Sequence, residues 1–326
     1  MTIEDDLKKT KGFDTIHFKY TGPKWDAHTH LYKIEDIREF VKYASDYNIQ
    51  KFTAIVREDW RIFEENFPGK FVFARFLNSQ NLFGNNIQTV LEDVQDMFDS
   101  GYSIVKFWYA PRWRDYVQEQ FKASVEGFRI DDPKFDPIYS KIADLGLILL
   151  IHVSDPDILY QTKYQPASFY GTKQQHLKEL ENIISKHSNL KIQVAHMAGQ
   201  PEHLDQLGKW FDEYSNFSVD ISSAKWMARE FSYNPEKVAE FFNHYQDRIL
   251  FGTDIVTGRT DREPIPGYYY IRYLSFQALL ETNVQDLPLP IADPDNDNKT
   301  VINGLDLPQK ILRKIYWDNS EKFYSK

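Results

Sequence analysis

Short apolar runs punctuate this chain, and between them apolar residues return every three or four positions. Eight runs read as strands: 25–28, 51–56, 70–76, 103–109, 147–153, 191–196, 216–222 and 248–254. Several are continuously apolar, as LILLIHV at 147–153 is, which marks a parallel strand buried on both faces. The segments between carry the helical period. In 34–47, Ile34, Ile37, Phe40, Val41 and Ala44 share one stripe, and in 87–100 so do Val90, Leu91, Val94, Met97 and Phe98. Segment 132–146 opens on Asp-Pro and stops at Gly146, a start and a stop signal in the right order. Segments 173–187, 201–214 and 234–245 complete the helices. Strand and helix alternate over residues 24–254, which predicts an α/β fold, a (β/α)8 TIM barrel with insertions in the βα loops. A doubly wound open sheet is the alternative.

Three segments exceed the minimal repeat: 110–130, 153–171 and the Pro- and Asp-rich 257–303, expected as a long loop insertion. In a barrel, insertions after strands lie on the C-terminal face, where active sites form. The 326 residues are read as one domain, with 1–23 as an N-terminal extension. Composition then narrows the chemistry. Lys and Arg number 39 against 48 Asp and Glu, a net charge of −9, which gives no basic surface for nucleic acid. There is no cysteine, so a metal would have to take imidazole, carboxylate or water. The first residues, MTIEDDLKKTKGFD, are charged and lack the apolar run of a signal peptide, and no stretch approaches the roughly 18 apolar residues of a membrane span. The expected setting is the cytoplasm, without a membrane partner. The 24 Phe, 20 Tyr and 7 Trp suit a large core and also a pocket lined by rings.

Strand ends carry the candidate chemistry. His28 and His30 sit at and just beyond the end of the first strand, His152 near the end of the fifth, His196 at the end of the sixth and Asp254 at the end of the eighth. Residues i and i+2 of a strand point to one side, so His28 and His30 can both face a barrel mouth. Each piece alone has an ordinary reading: a solvated His-x-His, a satisfied core histidine at 152, a helix cap in FGTD. Together, imidazoles and a carboxylate on separate strands of one barrel end make a sound ligand set for a divalent cation such as zinc, with manganese or iron as alternatives. Such an ion lowers the pKa of a bound water to about 7. The remaining histidines, His17, His176, His187, His203 and His244, fall in the N-terminal segment or in helices, where solvated or capping roles are the default.

DAHTH at 26–30, LLIHVSDP at 149–156, VAHMAGQPEHL at 194–204 and ILFGTDI at 249–255 resemble the signature of the amidohydrolase superfamily. More narrowly they are similar to its amidohydrolase-related branch, which includes the aminocarboxymuconate-semialdehyde decarboxylase and resorcylate decarboxylase relatives. The resemblance runs from about Trp25 to Tyr324 and is not specific for substrate. It implies that His28, His30, His152 and Asp254 are metal ligands. His196 would bind a second metal in binuclear relatives and serve as an acid/base in mononuclear ones. Asp254 would take a proton from the attacking water in hydrolytic members. Relatives are often dimers or tetramers, so a homo-oligomer is expected.

Lys106, late in the fourth strand, leaves three readings: a carboxylated bridge between two metals, an anchor for an anionic substrate, or an outward strand lysine. A single ion, and hence not the bridge, is the expectation. Arg57, Arg75 and Arg112 follow strands, with Lys225 and Arg229 further on, and arginine suits carboxylate recognition. Trp108 and Trp226, with Tyr109 and Trp113, are candidate apolar walls. The function expected is a metal-dependent hydrolase acting on a lactone, ester or amide of a small anionic molecule. A non-oxidative decarboxylase of an unsaturated or aromatic acid would use the same ligands. A barrel without chemistry, acting as a binding protein, is the third reading.

Overall fold

A computed structural model describes residues 10, 12–83, 86–258 and 267–325. The expected extension 1–23 and insertion 257–303 therefore lie partly outside the described residues. Two compact units emerge, one formed by the chain up to Val72 together with Asp220 onward, the other by Phe73–Val219.

In the first unit, β1 (Lys24–Leu31) runs parallel to β2 (Ile49–Val56), with Thr29 opposite Ala54. Nearly every residue of both strands is buried, including the polar Asp26, His28 and Thr29 of β1. The expected eighth strand, 248–254, is broken into β8 (Ile249–Leu250) and β9 (Ile255–Val256). Phe251 to Asp254 leave the regular ladder because Asp254 takes a left-handed backbone, at φ 57°. They stay tied to β1 all the same. Ala27 N donates to Phe251 O at 2.8 Å, and Asp254 N to His28 O at 2.8 Å. Beyond the break, Thr29 lies opposite Ile255.

The insertion 257–303 is not a long loop. Gly267–Glu281 is a helix of 15 residues with 12 of them buried. Its sequence, GYYYIRYLSFQALLE, is apolar on nearly every side, so it shows no stripe for a periodicity reading to find. A short antiparallel pair, β10 (Leu287–Pro288) with β11 (Val301–Ile302), closes the segment. The described part of the extension is packed too: Phe13 is buried, and Tyr20 N donates to the Glu281 carboxylate at 3.0 Å.

In the second unit the strands follow one another in parallel and in chain order: β3 (Phe71–Phe76), β4 (Ile104–Trp108), β5 (Ile148–His152), β6 (Lys191–Val194) and β7 (Phe217–Asp220). Helices Ile87–Asp99, Asp136–Asp144, Lys173–Lys186 and Leu204–Glu213 fill the expected crossovers. Thr172 and Gln175 close a reciprocal capping box at the start of the third of these. The two insertions of this unit also carry helix, Trp113–Phe121 in one, Asp157–Thr162 and Ala167–Tyr170 in the other. Parallel strands alternating with helices are the (β/α)8 order; the open-sheet alternative is set aside by the fold likenesses given below.

Candidate active site

His28, His30 and Asp254 are brought together as their spacing predicts. His30 Nε2 lies 3.1 Å and His28 Nε2 3.6 Å from the same oxygen of Asp254. One ligand atom from each of the three falls within 4.8 Å of the others. His28 is fully buried while the Asp254 side chain keeps 34% of its surface exposed. The histidine is thus fixed and the carboxylate reachable.

Two carboxylates that sequence reasoning missed set this geometry. Asp220, at the end of β7, lies 3.0 Å from His28 Nδ1, and Ser222 Oγ lies 3.1 Å from the same nitrogen. Asp220 accepts the Nδ1 proton and leaves the Nε2 lone pair facing Asp254. Ser222 N donates back to Asp220 at 3.1 Å, which holds the carboxylate in turn. The rule that strand ends carry chemistry would have found Asp220. Gly252 permits the approach: a Cβ there would sit 3.1 Å from His28 Cβ and 3.5 Å from Asp220 Cβ. Asp26 is the second. Its oxygens accept from Thr253 N at 3.0 Å, Thr253 Oγ1 at 2.6 Å and Tyr273 Oη at 3.0 Å. Burial pushes the Asp26 carboxyl up to about 7, against the pull of these bonds and of His28 N. Asp26 thereby ties β1 to the turn that carries Asp254.

The second unit holds His152 and His196. Their rings meet edge to face with centroids 4.3 Å apart. His196 does not end a strand. It opens a turn, His196–Gly199, in which four successive residues have φ between 54° and 66°. Three of these are not glycine, a conformation L-residues seldom hold in succession. His152 Nε2 lies 2.7 Å from Asp155 Oδ1, and Tyr164 Oη donates to Asp155 Oδ2 at 2.5 Å. Burial alone would raise Asp155. The imidazole of His152, the Tyr164 hydroxyl and the imidazole of His196 outweigh it and hold the carboxyl below its usual range.

Lys106 is 2% exposed, with Phe76 and Leu150 as its strand neighbours. Arg57 is exposed and stacks on Tyr32 with its guanidinium carbon 4.2 Å from the ring centre; that ring meets His30 edge-on at 6.1 Å. Arg75 must be withdrawn as a substrate anchor. It is tied to Asp96 at 2.7 Å and Asp93 at 2.9 Å, on the helix Ile87–Asp99, because its position on β3 turns it to the covering helix. Lys225 and Arg229 are likewise committed, Lys225 to Asp295 at 3.2 Å and Arg229 to both oxygens of Asp293 at 3.0 Å. Arg112 is exposed at the start of helix Trp113–Phe121. Trp108 is part-buried against Tyr116, and Trp226 part-buried on helix Ala224–Phe231, while Tyr109 and Trp113 are core residues. His176, expected in a solvated or capping role, is buried with its Nδ1 2.7 Å from Tyr160 Oη, while His187 is buried at the C-terminal cap of the helix Lys173–Lys186.

The structure of 2,6-dihydroxybenzoate decarboxylase from Rhizobium matches with a TM-score of 0.55 at 14% identity, over 93% of this chain and 99% of that one. The same enzyme complexed with 2,6-dihydroxybenzoate matches at 0.54 and 14%, with the same coverage. A protein from Acinetobacter baumannii assigned as a 2-pyrone-4,6-dicarboxylic acid hydrolase, with citric acid bound, matches at 0.55 and 10%, over 92% of this chain and 98% of that one. At such identities these likenesses establish the fold. No curated protein sequence matches the chain significantly. The amidohydrolase profile matches residues 119–326, well over half of the sequence. By that match, and in agreement with the motifs around His28, His152, His196 and Asp254, the chain belongs to the amidohydrolase family.

Proposed function

We propose that this protein is a metal-dependent hydrolase of a small anionic lactone, ester or amide. The observation that carries the reading is the convergence of one ligand atom each from His28, His30 and Asp254 within 4.8 Å, with Asp220 on Nδ1 of His28. Two imidazole nitrogens and a carboxylate oxygen suit one borderline divalent ion, zinc in the first instance, with manganese or iron as substitutes. Such an ion, when bound, supplies Lewis acidity and an activated water. The family motifs add His152 as a further ligand. They assign proton delivery to the leaving group to His196.

The chain's own residues do the rest. Asp254 has one oxygen between the two imidazoles and a side chain open to solvent, so it takes the proton of the attacking water. Arg57, laid on the Tyr32 ring beside His30, receives the anionic group of the substrate. Trp108 and Arg112 in one unit and Trp226 in the other are further proposed substrate contacts. Lys106 is a second anchor for the anion rather than a bridge to a second ion. A homodimer or homotetramer is the proposed assembly.

The test starts from chelator-treated protein reloaded with zinc, manganese or iron, with ions counted by elemental analysis. Activity is screened on carboxylated lactones, beginning with 2-pyrone-4,6-dicarboxylate, by proton release. One ion per chain and ion-dependent ring opening are expected. Release of CO2 from 2,6-dihydroxybenzoate with the same ion requirement, and no hydrolysis, would place the chain among decarboxylases. An ion-free and inert protein would leave a binding role.

A further inference from the structure

We propose that Asp155 is a positioning residue that fixes which ring nitrogen His152 presents to a metal ion. Asp155 is buried, and both of its oxygens are engaged by side chains: Oδ1 lies 2.7 Å from His152 Nε2, and Oδ2 accepts from Tyr164 Oη at 2.5 Å. A carboxylate just ahead of a helix commonly caps backbone N–H groups. Asp155 precedes the helix Asp157–Thr162, yet the cap position of that helix is Pro156 and carries no side-chain cap bond. The carboxylate is directed at the histidine instead.

Three features keep it there. His152 and Asp155 are three residues apart on one segment that leaves β5. That segment is pinned where the left-handed turn crosses it: a Cβ on Gly199 would fall 2.5 Å from Ser154 Cβ and 2.6 Å from its carbonyl. The His152 ring is also held edge-on by His196 at 4.3 Å, which restricts rotation about its own axis. A carboxylate on one imidazole nitrogen selects the tautomer protonated there and leaves the lone pair on the other. The structure therefore assigns Nε2–H to His152 and makes Nδ1 its ligating nitrogen. His28 has the opposite arrangement, with Asp220 on Nδ1 and Nε2 left to ligate.

The role toward a metal rests on the reading given under Proposed function; the tautomer does not. Protein labelled with 15N-histidine is examined in its metal-free state, and the His152 ring signals are assigned by their loss in His152→Gln. Nε2 is expected to carry the proton in the uncharged form of the ring. In Asp155→Ala that preference is lost, and zinc affinity, read by competition with a chromophoric chelator, falls by about 10- to 100-fold. Asp155→Asn keeps a carbonyl acceptor and recovers the tautomer and part of the affinity. If Asp155→Ala does not fold, Asp155→Asn and Tyr164→Phe carry the test, each with a smaller but measurable loss of zinc affinity. A wild-type ring protonated at Nδ1, or variants that bind zinc within twofold of wild type, would overturn the proposal. A wild-type protein that binds no zinc defeats the metal reading alone, and the tautomer of His152 still decides the role of Asp155.

Discussion

A ligating histidine is only partly specified by its place in a motif; the group on its far nitrogen specifies the rest. Spacing places His28 and His30 on one side of β1, and the break between β8 and β9 places Asp254 beside them. Asp220 stands 192 positions away from His28, so no local pattern announces the pair. The value of such a partner can be measured. Asp220→Asn keeps the volume but weakens the charge-assisted bond, and zinc affinity should fall about 10- to 100-fold, as read by chelator competition. An unchanged affinity would mean that His28 does not ligate through Nε2. Arg57 is the converse case, an exposed side chain whose loss should leave the fold alone. Arg57→Ala is expected to lower kcat/KM for an anionic substrate by about tenfold or more, the loss of a charged contact of roughly 1.5–3 kcal/mol. Stability in urea should change by no more than about 0.5 kcal/mol. An undiminished kcat/KM removes Arg57 from the site. Arg75 shows the limit of reading arginines from strand ends, since sequence does not say that Asp93 and Asp96 wait on the helix above it.

At the scale of elements, those with a clear period were foreseen to within a few residues. Ile34–Asp46 and Ile87–Asp99 each keep one apolar stripe, and the stripe is what packing selects. The helix Gly267–Glu281 was missed because a nearly all-round apolar helix has no stripe, and Pro and Asp residues around it suggested loop. Strand eight was foreseen as continuous because FGTD is compatible with extended backbone; its break depends on partners distant in sequence. Thr253 supplies two of them, its N–H at 3.0 Å and its hydroxyl at 2.6 Å from Asp26. Thr253→Val retains shape and removes the hydroxyl. A buried hydrogen bond to a carboxyl group is worth about 1.5–3 kcal/mol, and urea denaturation should show a loss of that size. The same variant should bind zinc less tightly, since the turn it loosens carries Asp254. Loss of stability with unchanged zinc affinity would separate the Asp26 tie from the ligand set.

For the whole molecule, the order of strands and helices was readable because parallel strands buried on both faces leave continuous apolar runs. The net charge of −9 gave no support for a nucleic-acid surface, and among the described residues no helix is long and apolar enough to cross a membrane. Global stability also has a pH dependence that the fold imposes. His176 is fully buried, and burial, aided by the nearby Arg114 charge, pulls its imidazole down to about 3 from an ordinary 6.5. The unfolded chain takes up this proton below about 6.5 and the folded chain does not, so stability present above that pH is lost as pH falls toward the folded value. His187 is lowered in the same sense by burial. Asp155, Asp131 and Asp157 lie below their usual value of 3.8, so their contributions are lost only in a more acid window. Between pH 6.5 and 4.5, His176 alone should therefore account for roughly 2–3 kcal/mol of lost stability, at 1.36 kcal/mol for each pH unit. His176→Gln retains an acceptor for Tyr160 and does not titrate. Urea denaturation at pH 7.0, 5.5 and 4.5 should show His176→Gln gaining on wild type by about that amount as pH falls; the wild-type curve itself is offset by Asp26, whose raised carboxyl takes up its proton in the folded state over the same range. Equal slopes would mean that His176 takes up its proton in the folded state.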